Sequence, residues 1–339
     1  MSAMIYARPL AQSGPVRPRD ALSLAGGWAW FTHAEILERG GSRGIVAAAE
    51  LPVDLLERLT WHRVPVAGVT MCRPSLMGIL NVTPDSFSDG GQFDGAEAAT
   101  AAARGMAATV QFIDVGGEST RPGAAEVPEA EEIARTAPVI AALAGGMVGR
   151  ALSIDTRKAG VAQAALDAGA ALVNDVSALC HDPALGPLVA LSGAALCLMH
   201  AQGAPETMQD DPRYEDVLLD VYDALSERVA HAEALGIERT RIVIDPGIGF
   251  GKTLGHNLTL LNGLSLFHGI GCPILLGASR KRFIGTIGAA PDPADRGPGT
   301  NAVMLAGVAQ GVQIHRVHDT AGAAQALALW RAVENGTMG

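Results

Sequence analysis

The sequence predicts an α/β fold, a (β/α)8 TIM barrel that carries an N-terminal accessory extension. The first observation is a repeated unit: from residue 76 onward, a short apolar run is followed by a polar loop and an Ala-rich amphipathic segment, eight times over. This alternation is typical of barrels and of open doubly wound sheets. The second observation favours the barrel, because no Gly-x-Gly-x-x-Gly motif follows the first strand, as an open sheet would usually show.

Each predicted strand is a short apolar run that stops at a polar residue or a glycine. The eight strands are predicted at residues 76–81, 111–115, 151–155, 171–175, 195–200, 241–245, 273–277 and 313–317. Helical periodicity predicts helices at residues 96–108, 128–143, 158–168, 183–192, 214–235, 257–264, 300–309 and 321–332. The barrel domain is therefore expected to span residues 73–339.

Residues 1–72 are expected to form the accessory extension. They contain three of the four tryptophans, Trp28, Trp30 and Trp61, and no apolar run that ends on Asp or Asn. We interpret this region as a small α/β appendage of unknown role that packs against the barrel domain.

Composition and charge exclude several classes of protein. With 339 residues, of which 48% are hydrophobic, the chain can bury a substantial core. Its 25 basic and 35 acidic residues give a net charge of −10, so we expect no nucleic-acid or membrane partner, and any anion site must be local. Because no apolar run has membrane length and the N-terminus shows no secretory pattern, we expect a cytoplasmic location.

The four cysteines, Cys72, Cys180, Cys197 and Cys272, lie far apart and form no Cys-x-x-Cys motif. We expect them to be buried, reduced thiols. The sequence also has no His/Cys cluster with zinc spacing and no Gly-x-Ser-x-Gly nucleophile elbow. Zinc proteases and serine esterases are therefore not favoured.

Polar residues at the carboxyl ends of the predicted strands indicate where chemistry would occur, because active sites of this fold lie at that end. A polar residue is ordinary wherever a strand meets water, but eight such ends around one mouth indicate a site. The residues are Asn81, Asp114, Asp155, Asn174, Asp175, His200, Asp245, Ser279, Lys281, Arg316 and His318.

Two Gly-rich loops follow the first two strands. Residues 81–91, Asn-Val-Thr-Pro-Asp-Ser-Phe-Ser-Asp-Gly-Gly, open from a buried strand into a polar loop that can approach a ligand closely. Residues 116–123, Gly-Gly-Glu-Ser-Thr-Arg-Pro-Gly, place Thr120 and Arg121 at the tip of a second loop. An arginine on a loop with Gly hinges suits a lid that closes over a charged substrate.

Residues 244–252, Ile-Asp-Pro-Gly-Ile-Gly-Phe-Gly-Lys, place the Asp245 carboxylate at a strand tip beside the ring of Phe250. A carboxylate can accept two parallel hydrogen bonds from the ring N–H and amino group of a heterocycle, while the aromatic ring forms a wall. The segment is not a P-loop, because Pro246 stands where the first glycine of that motif is required.

Two further motifs predict anion binding. Residues 277–283, Gly-Ala-Ser-Arg-Lys-Arg-Phe, open a helix, so the helix start and Ser279 suit a carboxylate, and Lys281 can point into the mouth. In residues 316–319, side chains alternate, so Arg316 and His318 are expected to face the same way with Val317 buried between them. The two side chains then form a positively charged binding site for phosphate. Asp319 is expected to cap the next helix.

Together these motifs resemble those of bacterial dihydropteroate synthase, a pterin-binding family of folate biosynthesis. The resemblance covers about residues 75–335 and rests on residues 81–91, 118–123, 245–252, 279–281 and 316–319, in family order. It implies an enzyme that joins 6-hydroxymethyl-7,8-dihydropterin diphosphate to 4-aminobenzoate and releases diphosphate, with Mg²⁺ as cofactor. It also implies a homodimer and a sulfonamide target. Residues before 75 inherit nothing from it.

The resemblance also assigns roles residue by residue. It implies that the pterin is held by Asp155, Asn174, Asp245 and Lys281. It implies that the diphosphate and its metal are held by Asn81, Arg316 and His318, with Asn81 as the metal ligand. The residues expected to frame the aminobenzoate are Thr120, Pro122, Phe250 and Ser279, and Met199 and Gly277 complete the substrate-binding set. Those expected to act in catalysis are Asp155, Asp245, Lys281 and Arg121.

Two other functions stay open from the sequence. A pterin-binding methyltransferase of the same barrel superfamily would use methyltetrahydrofolate and a corrinoid partner, and it would have no use for Arg316 and His318 as a phosphate grip. A catalytically silent paralogue is the second alternative, against which the intact loops at residues 81–91 and 116–123 argue. An arylamine is already a competent nucleophile, so no dedicated base is expected.

Overall fold

The structure, a computed structural model, describes residues 5–82, 92–118, 126–145, 150–203, 208 and 210–337. The chain begins with short strands and one helix: β1 (Tyr6–Pro9), β2 (Leu22–Ser23), β3 (Trp30–Phe31), β4 (His33–Glu38), β5 (Gly41–Ala47) and α1 (Val53–Thr60). β1, β4 and β5 form one antiparallel sheet, and β2 and β3 form another. This arrangement agrees with the predicted small α/β appendage.

Eight parallel strands, alternating with helices, follow the extension. The strands are β6 (Ser75–Asn81), β7 (Phe112–Gly116), β8 (Ala151–Asp155), β9 (Leu172–Asp175), β10 (Ala195–Met199), β11 (Ile242–Asp245), β12 (Leu275–Leu276) and β13 (Ile314–Val317). They run in the order β11-β10-β9-β8-β7-β6-β13-β12, and a parallel bridge between Ile244 and Ile274 closes the ring. The predicted (β/α)8 TIM barrel is confirmed.

Helices cover the outside of the barrel. They are α2 (Gln92–Met106), α3 (Glu129–Ala144), α4 (Ala159–Asp167), α5 (Leu185–Ser192), α6 (Val217–Ala234), α7 (Leu254–Asn262), α8 (Arg282–Ile287), α9 (Gly297–Ala309) and α10 (Thr320–Asn335). Side-chain caps fix several of their starts: Asp216 accepts from two N–H groups of α6, and Thr253 accepts from His256 in α7. Asp319 accepts from Gly322 at 2.9 Å, so its predicted capping role is confirmed.

Each predicted strand overlaps an observed one, and the largest difference is at β12. Residues 273–277 were expected in the strand, but only Leu275 and Leu276 pair with β13. Pro273 has no N–H to donate and Gly277 is unfavourable in a strand interior, so both ends of the run are weakened.

Alternate residues of the strands point into the barrel or outward against the helices. The outward residues, such as Ile113, Ile154 and Val317, belong to the large core shared with the helices. A second buried cluster fills the interior at the amino ends of the strands: Met77, Phe112, Ala151, Leu172, Ala195, Cys197, Val243, Leu275 and Ile314. Val66 and Met71, from the segment before β6, close this cluster from below.

The extension packs on the barrel through its own small core and several polar contacts. Leu24, Phe31 and Leu59 are fully buried within it. The hydroxyl of Ser265 donates to the carbonyl of Pro9 at 2.8 Å, and the Trp28 indole donates to Val308 at 2.9 Å. The extension is thus bound to the amino-end side of the barrel; the sequence predicted that it packs on the barrel but not on which side.

The prediction of buried thiols is wrong for two cysteines. Cys197 and Cys272 are buried, but Cys72 is half-buried and Cys180 is exposed, and all four are free. Cys180 lies in a turn after β9, and Cys72 lies in the segment before β6, so neither belongs to an apolar strand. Among the helices of the described residues, none is both long and apolar enough to cross a membrane.

Candidate active site

Above its apolar layer, the barrel interior becomes polar toward the carboxyl ends of the strands. Because side chains alternate, each strand contributes its last inward position to the mouth. At the strand ends or directly after them, these positions hold Asn81, Gly116, Asp155, Asn174, Met199, Asp245, Gly277 and Arg316. The structure therefore brings together Asn81, Asp155, Asn174, Asp245 and Arg316 of the predicted strand-end residues, and Met199 lies in register with Asp245 on the neighbouring strand. Asp175 does not join them, because its carboxylate accepts from the N–H groups of Ser177 and Leu179 in the turn after β9.

Arg316 is the centre of a buried ion-pair network inside the barrel. Its Nε donates to Oδ2 of Asp114 at 2.6 Å, and its Nη2 donates to Oδ2 of Asp155 at 2.7 Å. Asp114 also accepts from the Ser153 hydroxyl at 2.5 Å and from the Asn174 amide at 3.0 Å. Five side chains from four strands are therefore fixed by one set of charge-assisted bonds.

The sequence placed Asp114 at a strand end but gave it no role. The structure shows that it orients both Arg316 and Asn174. A signal was present, since a carboxylate inside an apolar strand is costly unless it is paired. The partner could not be identified, because Arg316 lies 202 residues away in the chain.

Asp155 retains one oxygen for another partner. Its Oδ1 is buried and has no hydrogen-bond partner among the described residues. Burial raises the pKa of Asp155 to about 7; Arg316 acts in the opposite direction, and Asp114 adds to the increase. A buried, incompletely paired carboxylate is a preferred place for a ligand that donates a hydrogen bond or carries positive charge.

Asp245 is the second buried carboxylate at the mouth. Its Oδ1 accepts from the Gly247 N–H at 2.7 Å. A Cβ at Gly277 would come within 3.3 Å of its Oδ2, so the absence of a side chain at 277 leaves room around this oxygen. Burial raises the pKa of Asp245 to about 6, while the Gly247 N–H and Lys281 lower it. Asp245 is therefore ionised near neutral pH and can accept two hydrogen bonds.

Lys281 and Phe250 form the wall beside Asp245. The Lys281 ammonium lies 3.8 Å from the centroid of the Phe250 ring, within the range of a cation–π contact. The Lys281 side chain also passes close to Gly249, where a Cβ would come within 2.9 Å of it. The prediction that Lys281 points into the mouth agrees with this placement.

Ser279 pairs with His318 rather than standing alone. The Ser279 hydroxyl lies 2.9 Å from Nδ1 of His318 and accepts from the His318 N–H at 3.2 Å. The predicted burial of Val317 between Arg316 and His318 is confirmed. The two side chains diverge, however, because Arg316 contacts the interior carboxylates and His318 contacts Ser279.

Lys252 is a buried lysine that the sequence did not single out. Its ammonium lies 3.0 Å from Nδ1 of His200 and contacts the carbonyls of His200, Gly247 and Phe250 at 2.9 to 3.2 Å. Burial lowers the pKa of Lys252 to about 7, with Asp245 acting in the opposite direction. Burial and then Lys252 lower the pKa of His200 to about 3, so His200 is neutral and accepts. Lys252 thus binds the loop after β11 to the end of β10.

Comparison with known proteins identifies the family of the barrel domain. Residues 77–318 match the family described as pterin binding enzyme. The chain is 44% identical over 265 residues to the dihydropteroate synthase of Neisseria meningitidis serogroup C. The aligned region covers 77% of this chain and 93% of that protein. This chain belongs to the dihydropteroate synthase family.

Other relatives cover a similar share of this chain. A dihydropteroate synthase from Xanthomonas albilineans, solved with 4-aminobenzoic acid, has a TM-score of 0.74 and 44% identity, covering 79% of this chain and 96% of that one. A probable bifunctional folylpolyglutamate synthase/dihydropteroate synthase of Haloferax volcanii is 48% identical over 72% of this chain, but the chain spans only 29% of that longer relative. The family match begins at residue 77, after the extension.

The loops on which the family resemblance depends are only partly described. Thr120, Arg121 and Pro122 lie outside the described residues, as do residues 83–91 of the predicted first loop. The neck of the second loop is described: Glu118 accepts from Lys158 at 2.6 Å and from the Val127 N–H at 3.0 Å. Lys158, which the sequence did not single out, also pairs with buried Glu132 at 2.8 Å.

Oxygen donors suited to Mg²⁺ converge near Gly116. Oδ1 of Asn81 and Oδ2 of Asp155 would lie 3.7 and 3.8 Å from a Cβ placed on Gly116. Among the described residues, no group of three or more His, Cys, Asp or Glu could hold a metal ion. Because Mg²⁺ commonly takes one or two protein oxygens and fills its other positions with water and substrate phosphates, the residues present fit this ion.

Proposed function

We propose that this protein is a dihydropteroate synthase that joins 6-hydroxymethyl-7,8-dihydropterin diphosphate to 4-aminobenzoate and releases diphosphate. The observation that carries the proposal is the pair of buried carboxylates at the barrel mouth. Asp245 is free to accept from a heterocycle, and Asp155 has an unpartnered oxygen among the described residues. This arrangement suits a donor-rich ring whose attached carbon becomes positively charged.

The pterin would bind in the polar upper part of the barrel. Asp245 would accept two parallel hydrogen bonds from the ring N–H and amino group. Asn174, held by Asp114 at 3.0 Å, and Asp155 would contact other ring edges. Lys281 would lie along the ring face beside Phe250, and Met199 and Gly277 would complete the pocket wall.

The reaction exchanges one bond at the pterin methylene carbon. The C–O bond to diphosphate breaks with both electrons leaving on oxygen, and the amine nitrogen of 4-aminobenzoate supplies the electron pair of the new C–N bond. The amine then loses a proton to solvent or diphosphate. The Asp155 carboxylate would stabilise positive charge at the methylene carbon, and no dedicated base is required.

The diphosphate would bind at the side of the mouth formed by Asn81, Arg316 and His318. Arg316 is already paired with Asp114 and Asp155, so it would share its donors with phosphate. Asn81 would hold Mg²⁺, which, when bound, neutralises diphosphate and improves it as a leaving group. Arg121 is proposed to add positive charge from the second loop.

The 4-aminobenzoate would bind at the outer edge of the mouth. Phe250 would contact its ring, and Ser279, which is held by His318 at 2.9 Å, would donate to its carboxylate. Thr120 and Pro122 are proposed to complete this pocket. A relative from Xanthomonas albilineans was solved with 4-aminobenzoic acid, which supports this substrate class.

The test is to supply the pterin diphosphate, 4-aminobenzoate and Mg²⁺ and to measure dihydropteroate and diphosphate formed in equal amounts. Asp245→Asn should abolish most of the product, and Asp295→Asn, an exposed aspartate, should not. Product that requires methyltetrahydrofolate and a corrinoid protein would indicate the methyltransferase alternative. Pterin binding without any product would indicate a silent paralogue.

Four further features belong to the proposal. We propose that the protein acts in the cytoplasm and forms a homodimer, and that Mg²⁺ is its metal. We also propose that residues 73–339 form the pterin-binding domain and residues 1–72 the accessory region. Size-exclusion chromatography with light scattering, and activity measured after removal and return of Mg²⁺, test the dimer and the metal.

A further inference from the structure

The turn between β4 and β5 brings the extension to the side of the barrel. Arg39, in this turn, donates from Nη1 to Asp220 at 2.5 Å and from Nη2 to Asp223 at 2.7 Å, both on α6. The Tyr6 hydroxyl of β1 donates to the same Asp223 carboxylate at 3.0 Å. The extension therefore holds the first turns of a barrel helix through a network of charges.

Asp220 transmits this contact to the chain that precedes α6. Its second oxygen, Oδ2, accepts from the N–H groups of Glu215 at 2.9 Å and Asp216 at 3.2 Å. Asp216 in turn caps α6 by accepting from Leu218 and Leu219. One carboxylate thus connects Arg39 with residues 215 and 216, directly before α6.

The same segment supports the loop that carries Phe250. The Tyr214 hydroxyl donates to the carbonyl of Gly251 at 2.8 Å, and the Tyr214 ring packs edge-on against His256 at 5.0 Å. Gly251 also approaches the chain at Gln202 so closely that a Cβ would come within 2.4 Å of the Gln202 carbonyl. Because Phe250 directly precedes Gly251, a displacement of Tyr214 would also move the backbone at Phe250.

We propose that Arg39 is a positioning residue of the active site, acting through Asp220, Tyr214 and Gly251 on the Phe250 wall. The extension, which lies outside the family match, thereby contributes to 4-aminobenzoate binding. The inference rests on the proposed function for the role of Phe250. It makes no demand on Asp155 and Asn174, two of the pterin residues, which are held by the separate network of Asp114 and Arg316.

The chain offers a matched control in the same hairpin. Arg43 is an exposed arginine whose ion pair is with Glu38, inside the extension. Arg39→Ala should raise the KM for 4-aminobenzoate about two- to fivefold, the size expected when a partly exposed ion pair is lost. The KM for the pterin diphosphate should rise less, because, of the four described pterin residues, only Lys281 contacts Phe250, and Arg43→Ala should behave as wild type. Arg39→Lys, which keeps the positive charge, should have a KM for 4-aminobenzoate between those of wild type and Arg39→Ala.

Two further measurements identify the route. Tyr214→Phe should raise the same KM, and the double variant with Arg39→Ala should show no additional increase, because both interrupt one path. Raising the salt concentration should increase the KM of wild type toward that of Arg39→Ala but leave Arg39→Ala almost unchanged, since the ion pair is partly exposed.

Amide hydrogen exchange tests the inference without any substrate. The Gly249 N–H is bonded to Oδ1 of Asn257 at 2.7 Å, and the Phe250 N–H is bonded to the Gly247 carbonyl at 3.1 Å. In Arg39→Ala these two amides should exchange about two- to fivefold faster than in wild type or Arg43→Ala.

The outcomes separate the inference from the proposed function. If wild type makes no dihydropteroate, the proposed function fails, and the exchange rates still decide the role of Arg39. If Arg39→Ala matches Arg43→Ala in KM and in exchange, the inference is overturned. An equal rise in both KM values, or a rise in the aminobenzoate KM without faster exchange at Gly249 and Phe250, overturns it as well.

Discussion

Arg316 donates to Asp155 across 2.7 Å, from the last strand of the barrel to the third. With Asp114 also paired to the same guanidinium, two buried carboxylates depend on one cation. Removing one partner of a buried ion pair leaves uncompensated charge, which costs more than the intact pair contributes. The network therefore fixes the geometry of the site and makes it sensitive to single substitutions.

We expect Arg316→Ala to lower the free energy of unfolding by on the order of 3 to 5 kcal/mol at pH 8. The loss should be smaller at pH 5, because the pKa of Asp155 is about 7 and its carboxyl group is then already protonated, so Arg316 no longer compensates a charge on it. Urea unfolding at both pH values measures this. Arg213→Ala, at an exposed arginine, is the control, and an equal loss at both pH values would contradict the argument.

His318→Ala and Arg316→Lys should weaken the pterin diphosphate far more than the unphosphorylated pterin alcohol. Both residues are proposed to make charge-assisted bonds to phosphate, and the alcohol has none. Titration calorimetry with the two ligands decides the matter. Asp245→Asn serves as the comparison, because it should weaken both ligands equally; equal weakening by His318→Ala would rule out the phosphate role.

Asp245→Asn should reduce pterin affinity about 10- to 100-fold, because one acceptor becomes a donor that faces ring donors, and an unpaired buried polar group costs on the order of 1 to 3 kcal/mol. In wild type, affinity for the pterin alcohol should fall as the pH drops through about 6, where Asp245 takes up a proton. The variant should show no such fall. Wild-type affinity that is constant between pH 5 and 8 would sink this prediction.

The same substitution should stabilise the ligand-free protein at high pH. Burial raises the pKa of Asp245 to about 6 from its ordinary value of 3.8, so the folded protein holds a proton that the unfolded chain has lost. The stability from this proton is complete below about pH 4 and is lost as the pH rises through about 6, a change on the order of 3 kcal/mol.

We therefore expect Asp245→Asn to unfold at a higher temperature than wild type at pH 8 and at nearly the same temperature at pH 4. Scanning calorimetry at the two pH values measures the difference. Asp295→Asn, at an exposed position, should shift neither transition. A variant less stable than wild type at pH 8 would show that the Asp245 charge is fully compensated in the folded state.

Lys252→Met should lower the free energy of unfolding by on the order of 3 kcal/mol, because several buried acceptors lose their donor. The three carbonyl contacts and His200 Nδ1 all depend on this ammonium. Urea unfolding tests the value, with Arg104→Met on the exposed face of α2 as the control. A loss no larger than that of the control would mean that the loop after β11 is held by its other contacts.

The barrel and much of its mouth could be predicted because they depend on local sequence periodicity. Each short apolar run ended near a polar residue, and the alternation of side chains placed that residue inside the mouth, as Asp245 shows. Asp319 could be predicted as a cap for the same reason, since capping involves neighbours in sequence.

The parts that could not be predicted depend on contacts between distant residues. The pairing of Asp114 with Arg316 and the binding of Lys252 by two strand ends are decided by tertiary packing, which no short pattern encodes. The predicted burial of Cys180 was wrong for a related reason, because hydrophobic composition alone does not show on which side of a turn a residue lies. The contact of Arg39 with Asp220 crosses 181 residues and belongs to this group.

The contacts of the extension also set an order for events during protein synthesis. Pro9 is made early, but its partner Ser265 follows 256 residues later, which at ~5 to 20 residues per second is a delay of roughly 10 to 50 seconds. During that interval the emerging chain has no barrel end on which residues 5–60 can dock. The small core around Leu24, Phe31 and Leu59 gives these residues a way to shield their apolar side chains until the last strands leave the ribosome.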